Sequence, residues 1–444
     1  MSDYQQLLAE LPCDWSTLPI EEIGEVISGG TPSRDNPRYW GGEIPWVTPG
    51  EVTGFGRKHL EETDEKITTE GLAQSGAKLL PPNSLLVTTR ASLGAAVLNA
   101  ALATTNQGFK SITFTNSFSP DYYYHWASKL KGELVRLASG TTFLEISGSQ
   151  FRKIPVPVPP RVEQEKIAHI LDTLDTHIQK TEALIAKLEK VKEGLLHDLL
   201  TRGIDESGRL RPRPEQAPEL YKESALGLIP REWGVGSLGD LSEIVSGVTL
   251  GGKSGSSAWP LVPYLRVANV QDGYLDLTDI KLIRVSPADI EKYRLLPGDV
   301  LMNEGGDFDK LGRGALWQAQ IDICLHQNHV FRVRTTPGLL SPHFLAAFSS
   351  SAAGKRYFIR SSKQSTNLAS INSTQLKAFQ VPLPSSDEQM LIVKELQAMA
   401  SRIEAEKAQL DKMIIQKSGL MDDLLTGRVR VTPLLDKAQA TTPA

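Results

Sequence analysis

The chain repeats a long segment of its own sequence. Residues 140–201 align with residues 365–426 at a constant offset of 225 residues without a gap, and 20 of the 62 aligned positions are identical. The identical pairs include Ile146/Ile371, Gln150/Gln375, Val156-Pro157/Val381-Pro382, Glu163-Gln164/Glu388-Gln389 and Leu199-Leu200-Thr201/Leu424-Leu425-Thr426. A tandem repeat of this length predicts two structural units of one design.

The segments that precede these repeats match more weakly. Trp15 corresponds to Trp233, and Ser28-Gly29-Gly30-Thr31 corresponds to Ser246-Gly247-Val248-Thr249. The offset falls to 215 residues where Pro82 meets Pro297. Loops of different length on common strands explain this drift. We therefore expect one scaffold that carries two different recognition surfaces.

Short apolar runs separated by glycine and proline turns predict a mainly β region over residues 12–160, with one helix over residues 122–137. The segment Ile154–Pro160 is rich in proline, which predicts an extended connector. Residues 161–200 then carry apolar side chains at near-heptad spacing, as does the second copy. Forty helical residues span about 60 Å, so each helix needs a partner. We expect the two helices to pair, with these side chains at their interface: Leu174, Leu188, Leu195, Met413 and Leu420.

The predicted fold is α+β, with two tandem β-rich domains separated by two long helices that form an antiparallel coiled-coil pair with pseudo-two-fold internal symmetry. The expected divisions are as follows: a first recognition domain over 1–160, a first helix over 161–201, a linker over 202–232, a second recognition domain over 233–385, a second helix over 386–427 and a tail over 428–444.

Composition narrows the functional classes. The two cysteines, Cys13 and Cys324, exclude a disulfide framework and a thiolate zinc site. The first residues have no signal-peptide pattern, and we find no apolar run of about 18 residues, so we expect a cytoplasmic protein with no membrane partner. The eight histidines show no metal-ligand spacing, and we find no nucleophile–base–acid set. These absences favour a binding protein without a catalytic or metal site.

The charges are unevenly distributed. The net charge of −4 argues against a basic nucleic-acid-binding domain. However, residues 71–120 and 323–386 contain no acidic residue, and both stretches contain lysine and arginine. A local basic surface can bind phosphate even when the whole chain is acidic, because salt screens charges over about 8 Å.

Two short motifs are discounted. Gly247–Ser254 matches the phosphate-binding string G-x-x-x-x-G-K-[ST], but the residues that follow do not favour the helix that such a loop must begin. The first copy also has no lysine at the equivalent position. Asn36-Pro37-Arg38-Tyr39 is similar to an adenine-binding motif of amino-methyltransferases, but arginine replaces its third residue and no glycine-rich cofactor turn accompanies it. We interpret it as a loop.

The combination of features resembles the specificity subunit of type I restriction-modification systems. Each unit begins near Trp15 or Ile229–Trp233, continues into a Ser-Gly-x-Thr loop and ends in a V-P-x-P segment. Each is followed by Glu-Gln and a long helix that closes on Asp-Leu-Leu-Thr. The resemblance covers residues 12–430 approximately. It is strongest over residues 154–167 with 379–392 and over residues 192–201 with 417–426.

This resemblance implies a non-catalytic subunit that binds double-stranded DNA at an asymmetric, two-part site. It also implies that the helices dock two methyltransferase subunits, to which restriction and translocase subunits can be added. No cofactor is expected in this chain, since S-adenosylmethionine, ATP and magnesium would be held by those partners. Two unlike domains on a rigid spacer agree with two unlike half-sites whose centres lie roughly one helical turn apart.

Loop residues at equivalent places in the two copies are the candidates for DNA contact, because Arg and Lys suit guanine and phosphate while Asn and Gln suit adenine. In the first copy they are Thr31, Ser33, Arg34, Arg90, Gln107, Lys110 and Thr142. In the second they are Lys253, Arg266, Asn303, Arg313, Asn328, Lys363 and Asn367. We expect Trp40 and Trp46 to pack within the protein rather than to stack on bases.

Two other functions agree with parts of the sequence. A P-loop ATPase on a coiled-coil stalk would depend on Lys253. A scaffold whose two β-rich units bind protein would need the same helices but would not shift any DNA duplex.

Overall fold

The computed structural model describes residues 2–140, 144–249, 258–306, 311–312, 314–364 and 369–435. The chain divides into two units, one formed by Met1–Glu182 with Ala408–Ala444 and the other by Ala183–Lys407. Each unit contains one β-rich part and half of each long helix, which confirms the predicted α+β class. None of the helices in the described ranges is long and apolar enough to cross a membrane.

In the first unit, a five-stranded sheet carries the fold. The strands of this unit, in that sheet and in two smaller ones, are β1 (Ser16–Pro19), β2 (Gly24–Ser28), β3 (Trp40–Val47), β4 (His59–Leu60), β5 (Lys66–Ile67), β6 (Leu85–Thr88), β7 (Ala96–Asn99), β8 (Thr104–Thr105), β9 (Phe109–Phe114) and β10 (Pro155–Val158). The helices are α1 (Asp3–Ala9), α2 (Ile20–Ile23), α3 (Pro49–Val52), α4 (Thr69–Ala73), α5 (Pro120–Leu137), α6 (Gly148–Arg152) and the start of the long helix α7 (Arg161–Thr201). The large sheet has the order β2-β9-β6-β7-β4, a second sheet has the order β5-β3-β8, and β1 pairs with β10.

The second unit repeats this plan. Its strands are β11 (Tyr221–Ser224), β12 (Gly227–Pro230), β13 (Gly234–Ser237), β14 (Ser242–Ser246), β15 (Leu261–Leu265), β16 (Lys281–Arg284), β17 (Val300–Asn303), β18 (Gly305–Gly306), β19 (Gly314–Leu316), β20 (Leu325–His326), β21 (Val330–Thr335), β22 (Lys363–Gln364), β23 (Ala369–Ser370) and β24 (Gln380–Leu383). Its helices are α8 (Leu238–Leu241), α9 (Pro287–Tyr293), α10 (Pro342–Ser350), α11 (Ala352–Ser361), α12 (Ser373–Lys377) and the start of the second long helix, α13 (Ser386–Leu425). The main sheet has the order β14-β21-β17-β19, and smaller sheets have the orders β16-β15-β20 and β18-β23-β22.

The strand register shows that the two units share one topology. In the first unit β9 lies between β2 and β6, with Ile112 opposite both Val26 and Leu85. In the second unit β21 lies between β14 and β17, with Val333 opposite both Ile244 and Val300. The smaller sheets also agree, because β3 and β15 each have one antiparallel and one parallel neighbour.

The proline-rich segment before α7 differs from the sequence prediction. Residues 155–158 form β10 and pair with β1 from Ser16 opposite Val158 to Pro19 opposite Pro155, rather than acting only as a connector. A two-stranded ladder accommodates these prolines because each strand is an edge strand.

The local sequence explains why α5 forms where it does. The side chain of Ser119 accepts a hydrogen bond from the Tyr122 amide at 3.4 Å, and Pro120 occupies the first turn, where no amide donor is needed. Tyr122, Trp126 and Leu130 recur on one face and are at most 2% exposed. The helix therefore supplies much of the core of the first unit.

One glutamine, identical in the two copies, connects each long helix to its own unit. It is Gln164 in the first copy and Gln389 in the second. The Gln164 side chain accepts from the Ser119 amide at 2.9 Å and donates to the Pro159 carbonyl at 2.9 Å. Gln389 accepts from the Ser341 amide at 2.7 Å and donates to the Pro384 carbonyl at 3.0 Å. These bonds fix the beginning of each long helix against the N-cap residue of α5 or α10.

The long helices run antiparallel within each unit. In the first unit Asp175 pairs with Lys417, while Leu171 and Leu424 belong to the same core. In the second unit Glu189 pairs with Lys407 at 3.1 Å, while Leu199 and Ile392 belong to the same core. In both units, residues further along α7 lie near residues closer to the start of α13, so the two helices are antiparallel.

The five residues expected at the helix interface are covered to different degrees. Leu188 is buried, whereas Leu174, Leu195, Met413 and Leu420 are half-buried. Leu195 packs on the core of the second unit, and Leu420 packs on that of the first. Ile185 and Ile403, which are also buried, complete the apolar strip in the second unit.

The linker and the tail are less separate than the sequence suggests. The linker contains the hairpin β11–β12, and its Arg211 is 8% exposed against Glu388 at the start of α13. In the tail, Val431 is buried in the core of the first unit and Arg430 pairs with Glu163 at the start of α7. The linker and the tail are therefore parts of the folded units, because Arg211 and Arg430 each neutralise a buried carboxylate.

Candidate nucleic-acid interface

Each main sheet has a root end and a loop end. At the root end of the first unit, β9 leads to Ser119 and its bond to Gln164 of the long helix. At the root end of the second unit, β21 leads to Ser341 and Gln389. The opposite, loop end comprises residues 29–36, 48–56, 89–95, 105–108 and 144–147 in the first unit. In the second unit it comprises residues 247–249, 266–276, 304–306, 326–329 and 369–371.

Four loops of the first unit are joined by backbone hydrogen bonds. The Thr89 amide donates to the Gly108 carbonyl at 2.7 Å, and the Ile146 amide donates to the Thr89 carbonyl at 3.1 Å. The Gly30 amide donates to the Thr105 carbonyl at 2.9 Å. These bonds bring residues from distant parts of the chain to one surface.

The second unit uses the same bonds with different residues. The Glu304 amide donates to the His329 carbonyl at 3.0 Å, and the Ile371 amide donates to the Glu304 carbonyl at 2.8 Å. The Val248 amide donates to the His326 carbonyl at 2.8 Å. The backbone of the loop end is thus shared between the units, and its side chains are what differ.

One glycine in each copy is explained by this close approach of loops. A Cβ atom on Gly29 would overlap the Asn106 carbonyl, and a Cβ atom on Gly247 would overlap the His326 carbonyl. Only glycine lets the backbones pass at this separation. The retained Ser-Gly pair therefore serves the loop arrangement rather than a phosphate contact.

Most of the residues predicted for the first unit come together at its loop end. Thr31 donates its hydroxyl to the Gln107 side chain, and Ser33 is exposed. Arg90 is half-exposed and lies 3.6 Å from the Glu145 carboxylate. Thr142 lies outside the described residues. Thr31, Arg90 and Gln107 thus form one polar surface.

Arg34 is already engaged within the protein. Its guanidinium binds the Glu65 carboxylate through two nitrogens, one at 2.8 Å, and lies 3.8 Å from the centre of the Trp40 ring. Hydrogen bonding to Glu65 raises the pKa of Arg34. Trp46 is 2% exposed and donates to the Gly30 carbonyl, so both tryptophans pack within the protein as expected.

Lys110 is the charged group beneath this surface. It lies in β9 between Ser28 and Val87 and is 6% exposed. Burial lowers the pKa of Lys110, Glu145 opposes this shift, and the neighbouring Arg152 adds to it. Among the described residues no acidic side chain lies within ion-pair distance of Lys110. A cation without a close carboxylate is suited to bind an incoming anion.

The candidates of the second unit are more dispersed. Asn328 is half-exposed in the loop 326–329. Arg266 donates to the Asp279 carboxylate at 2.8 Å and to its carbonyl at 3.0 Å, so it holds its own loop. Lys253, Arg313 and Asn367 lie outside the described residues, as do the Lys363 side chain and most of the Gly247–Ser254 string.

The prediction of a base contact is wrong for Asn303. Its side chain is 1% exposed and donates to the Val270 carbonyl at 3.0 Å and the Val267 carbonyl at 3.3 Å. The equivalent strand position in the first unit is Thr88, which is also buried. The residue at this position closes the strand end rather than facing outward.

Part of the acid-free stretch over residues 323–386 is internal. Arg332 is 3% exposed and donates to the Lys292 carbonyl at 3.1 Å and to Glu243 at 3.2 Å. Arg334 forms a two-nitrogen contact with the buried Asp299 at 2.7 and 2.9 Å. These two arginines hold the sheet and do not contribute to a basic face.

One polar pair at the loop end of the second unit does not follow from the sequence pattern. His329 lies 2.6 Å from the Glu304 carboxylate, and both side chains are at least partly exposed. A carboxylate is not an expected feature of a DNA-binding surface, so a search for basic and amide side chains does not find it. The equivalent residue of the first copy is Thr89, so a comparison of the two copies does not indicate a carboxylate at this position either.

A cluster of His125, Asp172 and Asp175 has the composition of a metal site, but lysines occupy its carboxylates. Lys58 binds Asp172 at 2.7 Å, and Lys417 binds Asp175. His125 is 2% exposed and lies 2.9 Å from Asp172. The arrangement therefore acts as an ion-pair network that holds α7 against α5.

His326 is a buried residue at the loop end of the second unit. Its titration makes the free energy of unfolding of the protein depend on pH. It is fully buried, its Nδ1 donates to the Val330 carbonyl at 2.6 Å, and burial lowers its pKa to about 4. The unfolded chain binds a proton near pH 6.5 and the folded chain only near pH 4, so stability is complete above pH 6.5 and falls below it.

We expect the wild type to lose up to about 3 kcal/mol of its free energy of unfolding through this group between pH 6.5 and pH 4. His326→Gln keeps a donor near Val330 but cannot titrate. Urea unfolding of both proteins at pH 7.5 and pH 5 measures the difference. An equal pH dependence in the two proteins would show that His326 does not cause the loss.

Comparison with known proteins agrees with this geometry. The type I restriction modification DNA specificity domain matches residues 12–190 and again residues 230–414. The chain belongs to this family of DNA specificity domains. It is 30% identical to the type I restriction enzyme MjaIX specificity subunit of Methanocaldococcus jannaschii over 60% of each chain. It is 24% identical to the MjaVIII specificity subunit of the same organism over 96% of this chain and 95% of that one.

A solved structure shows the same fold. The HsdS subunit from Thermoanaerobacter tengcongensis superimposes with a TM-score of 0.53 at 16% identity and covers 94% of this chain and 98% of that chain. The chain spans less than two thirds of the length of the MjaIX subunit. The match to two specificity domains agrees with the two loop ends described above.

Proposed function

We propose that this chain is the non-catalytic specificity subunit of a type I restriction-modification complex and binds a split, asymmetric DNA site. Its first unit would contact one half-site through Thr31, Arg90 and Gln107, and its second unit would contact the other through Asn328 and its neighbours. The observation that carries this proposal is the shared backbone of the two loop ends with unlike side chains. Two such surfaces favour two unlike half-sites.

The long helices would dock two methyltransferase subunits. Exposed apolar side chains on these helices support this role, since Val191, Ile414 and Ile415 are 45%, 47% and 71% exposed. Such side chains are typical of surfaces that bind protein. Methyl transfer would then occur in the partners, which would hold S-adenosylmethionine. ATP and magnesium would belong to restriction and translocase subunits if these are added.

Selection from a pool of randomised duplexes tests the DNA-binding role. The purified complex of this chain with the methyltransferase encoded beside it is the binding species. We expect enrichment of two short, unlike sequences separated by a constant number of unspecified base pairs. Enrichment of one continuous sequence, or of none by an intact complex, would contradict the proposal and favour a protein-binding scaffold.

Lys110 is expected to bind phosphate in this complex. Lys110→Met keeps the buried stem and removes the charge, so it should weaken binding to all duplexes equally. It should also reduce the slope of log affinity against log salt by about 1. Lys180→Met, on the exposed side of α7, serves as the control. Fluorescence anisotropy at several salt concentrations gives both slopes, and an unchanged slope for Lys110→Met would show that Lys110 contacts no phosphate.

A further inference from the structure

The pair formed by Glu304 and His329 occupies a fixed position at the loop end of the second unit. Glu304 follows β17 and His329 precedes β21, and their backbones are joined by the bond from the Glu304 amide to the His329 carbonyl. The Ile371 amide binds the Glu304 carbonyl from the third loop. Two loops therefore set the direction of the Glu304 side chain.

The loop arrangement does not need this pair. In the first unit the equivalent residues are Thr89 and Gly108, and the Thr89 hydroxyl donates back to the Gly108 carbonyl at 3.2 Å. The same backbone bonds form there without a carboxylate or an imidazole. The side chains of Glu304 and His329 are also 31% and 56% exposed, so they are not part of the core. Their presence calls for a role outside folding.

The hydrogen bond between the two side chains has a defined direction. An ionised carboxylate can only accept, so His329 Nδ1 donates its proton to Glu304 Oε2 at 2.6 Å. The bond engages Oε2, so Glu304 Oε1 can accept a hydrogen bond from another donor. The imidazole ring of His329 fixes the orientation of the carboxylate. Asn328, whose Nδ2 lies 3.4 Å from His329 Nε2, places an amide beside the pair.

A carboxylate on a DNA-binding surface is repelled by phosphate, so it must face the bases to be useful. The groups on base edges that donate to a carboxylate in the major groove are the exocyclic amines, N4 of cytosine and N6 of adenine. We propose that Glu304, positioned by His329, accepts a hydrogen bond from an exocyclic amine in the half-site bound by the second unit. This inference rests on the proposed function and assigns one base position within it.

Three variants test the inference in the complex with the methyltransferase. Glu304→Gln changes an acceptor-only group into one that also donates, and His329→Ala removes the positioning group. Glu291→Gln, on the exposed side of α9, removes a carboxylate outside the loop end and is the matched control. Each complex is used to select duplexes from a pool, and the enriched sequences are compared position by position.

We expect Glu304→Gln to reduce discrimination at one base pair of one half-site by roughly 5- to 150-fold and to leave the other half-site unchanged. If that base pair presents cytosine in the wild-type sequence, Glu304 binds N4; if it presents adenine, Glu304 binds N6. His329→Ala should weaken discrimination at the same position by a smaller factor. Glu291→Gln should give the wild-type sequence.

Other outcomes overturn the inference. An unchanged sequence with Glu304→Gln, or an equal loss of binding to all duplexes by an assembled complex, shows that Glu304 contacts no base. The first of these results leaves the proposed function intact, because both half-sites are still selected. Failure of the wild-type complex to select any two-part sequence overturns the proposed function and this inference together.

Discussion

Replacing Glu388 with alanine is expected to lower the free energy of unfolding of the protein by about 3–5 kcal/mol. Glu388 is 7% exposed and accepts from three groups: the Arg211 guanidinium, the Trp233 indole at 3.0 Å and the Ile204 amide at 2.9 Å. The alanine leaves all three buried donors without this acceptor. Most of the loss comes from the arginine, because Arg211 is 8% exposed and would keep one 3.1 Å contact with the exposed Glu232 in place of its buried carboxylate partner.

The first unit supplies a matched control for this change. Glu163, the equivalent of Glu388, binds Arg430 at 2.6 and 3.2 Å, but Arg430 also binds Asp14 at 2.8 Å through two nitrogens. The Trp15 indole, unlike that of Trp233, has no hydrogen-bond partner among the described residues. Glu163→Ala should therefore cost less than Glu388→Ala. Urea unfolding monitored by tryptophan fluorescence measures the loss of free energy of unfolding in both variants. Equal losses would show that the different partners of Glu163 and Glu388 do not affect stability.

Leu188→Asp is the second change with a large expected effect. Leu188 is 6% exposed on α7, in the strip that also contains Ile185 and Ile403. The substitution removes a buried leucine side chain and places an unpaired carboxylate in its position. We expect a loss of at least about 3 kcal/mol, because both terms act in the same direction. Helices of this length also depend on packing for most of their stability.

Val191→Asp controls for helix propensity and charge, because Val191 lies one turn further along α7 and is 45% exposed. It should change the free energy of unfolding by no more than about 0.5 kcal/mol. Circular dichroism at 222 nm during thermal unfolding measures both variants. A similar loss for Leu188→Asp and Val191→Asp would show that α7 has no buried side at this point.

The parts of the fold that follow from local pattern could be predicted from the sequence. The long helices repeat apolar residues at regular spacing, so α7 and α13 were expected, and Leu188 was placed correctly on the buried side. The repeat itself indicated that the units share one design. Helix α5 followed from the spacing of Tyr123, Trp126 and Leu130.

Features that depend on contacts between distant residues could not be predicted. Arg211 stands in a proline-rich linker, and only the folded unit brings it to Glu388, which is 177 residues away. Asn303 has the side chain of a base-contacting residue, but its place at the end of a central strand buries it. Glu304 and His329 are 25 residues apart and meet only because β17 and β21 are neighbours.

The two units are proposed to recognise unlike halves of one DNA site. The most direct measurement is a map of methylated adenine across the genome of a host that expresses this chain with the methyltransferase encoded beside it. We expect a new motif of two unequal halves separated by a constant number of unspecified bases. The absence of new methylation, despite an intact complex of the two proteins, would contradict it.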